Sequence, residues 1–93
     1  MIHLEPRHHE IVRKILKQAD ARFFAFGSRV KGTHRPFSDL DLCYMDPVPT
    51  SVLNKIEADF VESDLPFVVD IVDYQKCSLA FQKIIDNDAI IFE

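Results

Sequence analysis

The chain has 93 residues, with 15 Asp and Glu against 11 Lys and Arg, a formal charge of −4 and a pI of about 5.5. That length accommodates one hydrophobic core and no second lobe, and a hydrophobic content of 47% with eight Phe is enough to pack it. The acidic balance argues against independent binding of duplex DNA or tRNA, which takes a basic stripe; no run approaches the ~18 apolar residues of a membrane span, and the opening MIHLEPRHHE lacks the apolar stretch of a signal peptide.

Pro6 suits the first turn of a helix, and Ile11, Val12, Ile15, Leu16 and Ala19 recur behind it at helical spacing, with Arg7, Glu10, Lys14 and Lys17 filling the other side. The apolar run Phe23–Phe26 reads as a strand. Ser28–Lys31 reads as a short helix closed by Gly32, a residue suited to the left-handed position after a helix. His34–Phe37, with Pro36, is a loop. Asp39–Met45 is a second strand, ended by Pro47 and Pro49. Thr50 or Ser51 is positioned to cap a helix running to about Glu62 that buries Leu53, Ile56 and Phe60. Pro66 opens a third strand, Phe67–Asp73, and Ser78–Asp86 is the last helix, with Leu79, Ala80, Phe81, Ile84 and Ile85 apolar. Ala89–Phe92 is either a short strand or an interface segment. The order implies an α/β design, one small sheet with helices mainly on one face, and residues 1–93 as a single domain.

Most of the chemistry sits in AFGSRVKGTHRPFSDLDLCYM. Side chains alternate along a strand, so Asp39 and Asp41 share one face while Leu40 and Leu42 point to the other. Two neighbouring carboxylates repel unless a cation lies between them, and hard divalent cations such as Mg²⁺ take oxygen ligands while leaving room for substrate phosphates. Gly27 and Ser28, at the start of the short helix, offer backbone N–H groups to a phosphate tail, with no Cβ on Gly27 to hold it off. Arg29, Lys31, His34 and Arg35 form a local basic cluster between turn and aspartates, suited to a triphosphate rather than a long polyanion. These are the parts of a nucleotidyl-transfer site. Periodicity turns Leu40, Leu42, Tyr44, Phe67, Val69 and Ile71 toward the helices and Asp39, Asp41 and Asp70 toward a cleft. Asp70 also has a plainer reading, as a strand-end residue pairing with Arg22 or Lys76. His3, His8, His9 and His34 lack metal-ligand spacing, Asp46 reads as a turn residue before Pro47, and Cys43 and Cys77 form no C-x-x-C pair. Cys43 reads as a small buried residue of a reduced, cytoplasmic protein.

The pattern G-S-x10-D-x-D resembles the signature of the DNA polymerase β-like nucleotidyltransferase superfamily. The intervening RVKGTHRPFS and the short chain resemble its smallest branch, the minimal nucleotidyltransferases. Four fixed identities should match somewhere in a chain this long only about once in a thousand, and the strand–turn–helix–strand context fits as well. The resemblance covers most of the chain, since Asp70 in FVVDIVD stands where the family carries a third carboxylate. It implies a mixed three-stranded sheet with the carboxylates on the open face. It further implies Asp39, Asp41 and Asp70 as catalytic metal ligands for two Mg²⁺ ions, and Gly27, Ser28, Arg29 and Lys31 as the nucleotide-binding set for ATP.

The acceptor is not written in the residues. The chain is too short for the accessory lobes of a polymerase, and aminoglycoside-type enzymes of this superfamily use another domain or subunit as the second wall of the substrate site. Minimal nucleotidyltransferases commonly pair with a small helical HEPN protein, and some pairs are toxin–antitoxin modules in which AMP is added to a ribonuclease toxin. The resemblance therefore implies an antitoxin that modifies a protein hydroxyl. The alternatives are a module that neutralises its partner by contact alone and an oligomeric enzyme acting on a small molecule. The intact G-S, D-x-D and Asp70 weigh against contact alone, because a structural module gains nothing from facing carboxylates.

Overall fold

A computed structural model describes all of residues 1–93. Its helices are α1 (Pro6–Leu16), α2 (Ser28–Lys31), α3 (Thr50–Glu62) and α4 (Leu79–Asp88), and its strands β1 (Phe23–Phe26), β2 (Leu40–Tyr44), β3 (Val69–Asp73) and β4 (Ile90–Ile91). The strands form one mixed sheet in the order β3-β2-β1-β4. β1 lies antiparallel to β2 and to β4, while β2 and β3 run parallel. The sheet thus has four strands where three were expected. The tail that the sequence left open supplies the fourth: Ile90 and Ile91 pair with Ala25 and Phe24, and the Phe92 amide donates to the Phe23 carbonyl at 2.8 Å.

The boundaries follow local chemistry. Pro6 opens α1 as expected, and the helix ends at Leu16, one turn before Ala19. Ser78 caps α4, its hydroxyl accepting from the Phe81 amide at 3.2 Å. Neither Thr50 nor Ser51 caps α3. Pro49 holds that position at φ −57°, ψ 140°, and Thr50 is already helical; the proline ring fixes the entry angle without a side-chain oxygen.

The register divides the side chains between two faces. Phe23, Ala25, Leu40, Leu42 and Tyr44 meet Val12 and Leu16 of α1 and Ile56 and Phe60 of α3 in the main core, joined by Phe67 and Phe92. Leu40, Leu42, Val12 and Ile56 are fully buried, each contributing roughly 1.5–3 kcal/mol of hydrophobic stabilisation. On the opposite face a smaller cluster of Phe26, Cys43 and Ile85 brings α4 over one end of the sheet, with Phe24, Val72 and Phe81 around it. Two helices thus cover one face, and α4 covers only part of the other. No helix is long and apolar enough to cross a membrane.

Candidate active site

Gly27 follows β1 and precedes α2, at φ 82° and ψ −154°, a region essentially reserved for glycine. Its carbonyl accepts from the Val30 and Lys31 amides at 3.0 Å each and so starts α2. Across the antiparallel pair, Phe26 lies opposite Asp41. A Cβ on Gly27 would sit 2.5 Å from Asp41 Oδ2. The missing side chain therefore makes room for a carboxylate. Gly32 closes α2 at φ 80°.

Asp41 and Asp70 are register partners on the parallel strands β2 and β3, so their side chains leave the same face. Asp39 stands one residue before β2, and the Leu40 amide beyond it donates to the Val68 carbonyl at 2.9 Å. Asp41 is half-buried, whereas Asp39 and Asp70 are exposed. Burial pushes the Asp41 carboxyl above its ordinary value, and the nearby charges of Asp70 and Asp39 push it further. Four ion pairs of Lys or Arg and one His8–Glu5 contact occur in the molecule, and none includes these aspartates. Asp70 does not pair with Arg22, whose guanidinium holds Asp46 at 3.0 Å.

No three His, Cys, Asp or Glu side chains are gathered closely enough to grip a metal ion between them. The donor set fits a divalent cation in kind. Its atoms are carboxylate oxygens, the hard ligands Mg²⁺ takes, and Asp41 carries the burden of facing like charges that a cation would relieve. The absence of a side chain on Gly27 leaves space beside Asp41 Oδ2.

Burial divides the basic cluster. Arg29 is buried at 5% exposure, and its guanidinium donates to three carbonyls: Nε to Ser38 at 3.0 Å, Nη1 to His3 at 3.0 Å and Nη2 to Pro36 at 3.1 Å. Its Cζ lies over Phe67, 4.2 Å from the ring centre, and burial lowers its pKa from the ordinary arginine value. A guanidinium so engaged is not available to a nucleotide, contrary to expectation. Lys31, two residues on, emerges on a different side of the helix, as 100° per residue requires. It stays at the surface, with Nζ 3.4 Å from Asp88 of α4. His34 stacks on His3 with ring centres 5.4 Å apart, and Arg35 is exposed. The carbonyls that hold Arg29 leave no trace in side-chain chemistry, so no sequence signal distinguished it from its neighbours.

The other groups behave more simply. Asp46 accepts from the Arg22 backbone and guanidinium, which brings its carboxyl down to about 2. Burial pushes the Cys43 thiol up to about 11, which makes it an inert packing group. Tyr74 donates to Asp86 at 2.7 Å.

The chain belongs to the nucleotidyltransferase domain family, whose model matches residues 6–92. It is 39% identical over 87 residues to a protein of Haemophilus influenzae named "Probable protein adenylyltransferase MntA", a match spanning 89% of this chain and 76% of that protein. Its fold resembles a chain in the crystal structure of a toxin–antitoxin with AMP-PNP, with a TM-score of 0.68 and 20% identity over 91% of this chain and 72% of that one. A mutant of the MntA–HpeT toxin–antitoxin is similar as well, with a TM-score of 0.62 and 20% identity over 97% of this chain and 72% of that one. The chain is a nucleotidyltransferase with the mixed α/β fold of that family.

Proposed function

We propose that this chain is a cytoplasmic, Mg²⁺-dependent protein adenylyltransferase, an antitoxin that moves AMP from ATP to a hydroxyl of a HEPN-type toxin, with residues 1–93 acting as one catalytic domain. The observation that carries the reading is the register pair Asp41 and Asp70 on one sheet face, with Asp39 acting on the same half-buried carboxyl. Identity to a relative named as a protein adenylyltransferase supports the choice of a protein acceptor.

In this reading Asp39 and Asp41 would hold the Mg²⁺ ions, with Asp70 as a further carboxylate on the acceptor side. When bound, the cation would supply charge neutralisation for an in-line phosphoryl displacement. Ser28 donates its hydroxyl to the terminal phosphates, and Lys31 supplies positive charge at the surface of α2. The acceptor hydroxyl attacks the α-phosphorus, the bond to the pyrophosphate oxygen breaks, and Asp70 accepts the hydroxyl proton. Gly27 keeps the space beside Asp41 open throughout. A folded partner supplies the second wall of the cleft and aligns its hydroxyl, an advantage of about 7–11 kcal/mol in such positioned reactions.

The test is incubation with ATP, Mg²⁺ and the cognate HEPN partner, read by intact-mass spectrometry. The expected result is one or more AMP masses on the partner, on a tyrosine, absent with Asp39→Asn. A partner that gains no mass yet is inhibited equally by wild type and Asp39→Asn would establish a contact-only module instead.

A further inference from the structure

Asp39 precedes β2, and its exposed carboxylate is placed by the backbone on either side of it. On the C-terminal side, the Leu40 amide is bonded to the Val68 carbonyl at the β3 edge, 2.9 Å away. On the N-terminal side, the Ser38 carbonyl accepts from Arg29 Nε at 3.0 Å. That carbonyl belongs to the peptide plane whose orientation sets φ of Asp39, because the peptide unit is rigid. One buried side chain therefore holds one of the two peptide planes that flank the carboxylate.

The same side chain ties together three segments around the proposed site. It grows from α2, one residue after Ser28. It holds Pro36 and Ser38, and so the loop leading into β2. It rests on Phe67, three residues before Asp70. The N-terminal segment closes over it reciprocally: Arg29 Nη1 donates to the His3 carbonyl at 3.0 Å, and the His3 amide donates to the Arg29 carbonyl at 2.7 Å. A fold needing only apolar filling here would not bury a cation that no carboxylate neutralises. Burying such a charge is costly unless its hydrogen bonds are made, and here they go to loop carbonyls. A planar fork suits that task; a lysine ammonium offers a point charge without the planar group that lies over Phe67.

We propose that Arg29 is the positioning residue of the site: by fixing the Ser38–Asp39 peptide against α2 and Phe67, it sets the carboxylate of Asp39 for divalent-cation binding. The proposal rests on the metal-ligand reading of Asp39 given above. Residues that orient a metal ligand typically alter affinity 10–100-fold when changed.

The experiment titrates Mn²⁺ by electron paramagnetic resonance in the presence of a non-hydrolysable ATP analogue, at a temperature well below each variant's melting point, without turnover. Wild type and Asp39→Asn define the range, and weakened binding in Asp39→Asn establishes that the aspartate holds the cation. Arg29→Lys should weaken Mn²⁺ binding by about tenfold or more, and Phe67→Leu, which removes the stacking plane and keeps the three carbonyl bonds, by a smaller factor in the same direction. Val12→Ala, a core change in α1 outside the hydrogen bonds that Arg29 makes, should lower the melting temperature and leave Mn²⁺ affinity unchanged. Phe67→Leu decides the matter if Arg29→Lys does not fold. Wild-type affinity in folded Arg29→Lys, or in Phe67→Leu should that be the only folded variant, would overturn the positioning role while Asp39 remained a ligand. Unchanged binding in Asp39→Asn would overturn the metal reading itself.

Discussion

The two faces of the sheet are built from the same strands and do opposite things. Leu40, Leu42 and Tyr44 meet α1 and α3 in a closed core, while Asp41 and Cys43, interleaved with them, face the other way. On that second face α4 covers Cys43 and Phe26 and leaves the Asp41–Asp70 end open. Stability is concentrated on one side of β2 and charge repulsion on the other, one residue apart. A protein can tolerate the repulsion because the closed face holds the strand in place.

The sharpest contrast comes from neighbouring positions. Asp41→Asn should reduce nucleotidyl transfer by on the order of 10³-fold or more, as losing a preorganised charge in such a site does, while circular dichroism stays native. Without cation, this variant should melt at or above the wild-type temperature. The sign follows from the raised Asp41 carboxyl: a folded-state pKa above the unfolded one makes Asp41 destabilising once pH exceeds the unfolded value of 3.8, and that penalty disappears as pH falls through the unfolded value. The wild-type disadvantage should therefore vanish toward pH 3. A large loss of melting temperature would instead make Asp41 structural and erase the contrast.

Leu42→Ala attacks the other face. Leu42 is 0% exposed, and truncating such a side chain leaves a cavity worth about 2–5 kcal/mol. Urea denaturation should show the loss, and the fraction that remains folded should keep normal Mg²⁺ dependence. A shift in Mg²⁺ half-saturation would show that the faces are coupled.

Gly27→Ala lies at the border. The new Cβ would meet Asp41 Oδ2 and force an alanine to φ 82°, a strain of about 1–3 kcal/mol. Activity should fall together with stability, and the paired variant Gly27→Ala/Asp41→Gly, which removes the colliding carboxylate, should regain part of the lost stability but no activity. If Gly27→Ala were as active as wild type, Gly27 would have no part in accommodating Asp41.

The smallest expected effect is remote from both faces. Arg22 holds Asp46 down to about 2, so the pair stabilises the fold above the unfolded carboxylate value of 3.8, and the benefit is lost as pH falls toward 2. Asp46→Asn should melt slightly lower than wild type at pH 7, converge with it near pH 2, and transfer AMP normally. This would separate general acid sensitivity from the pH response of Asp41.

Periodicity alone determined much of this. The alternation in LDLCY separates Leu40 and Leu42 from Asp41, because a strand's side-chain period admits no other arrangement, and Pro6, Gly32 and Ser78 mark helix ends through their own backbone and hydroxyl chemistry. The face that Asp70 takes was legible for the same reason of period, and the parallel register then set it beside Asp41. What tertiary structure decided were matters of long-range backbone contact. The tail became β4 only because β1 has a free edge, and Gly27 makes room for a carboxylate across the sheet rather than only for a phosphate. Arg29 left the basic cluster because Ser38, Pro36 and His3 present carbonyl oxygens to it, and every residue carries a carbonyl. No side-chain pattern can announce such partners, since only the folded path of the chain brings them together.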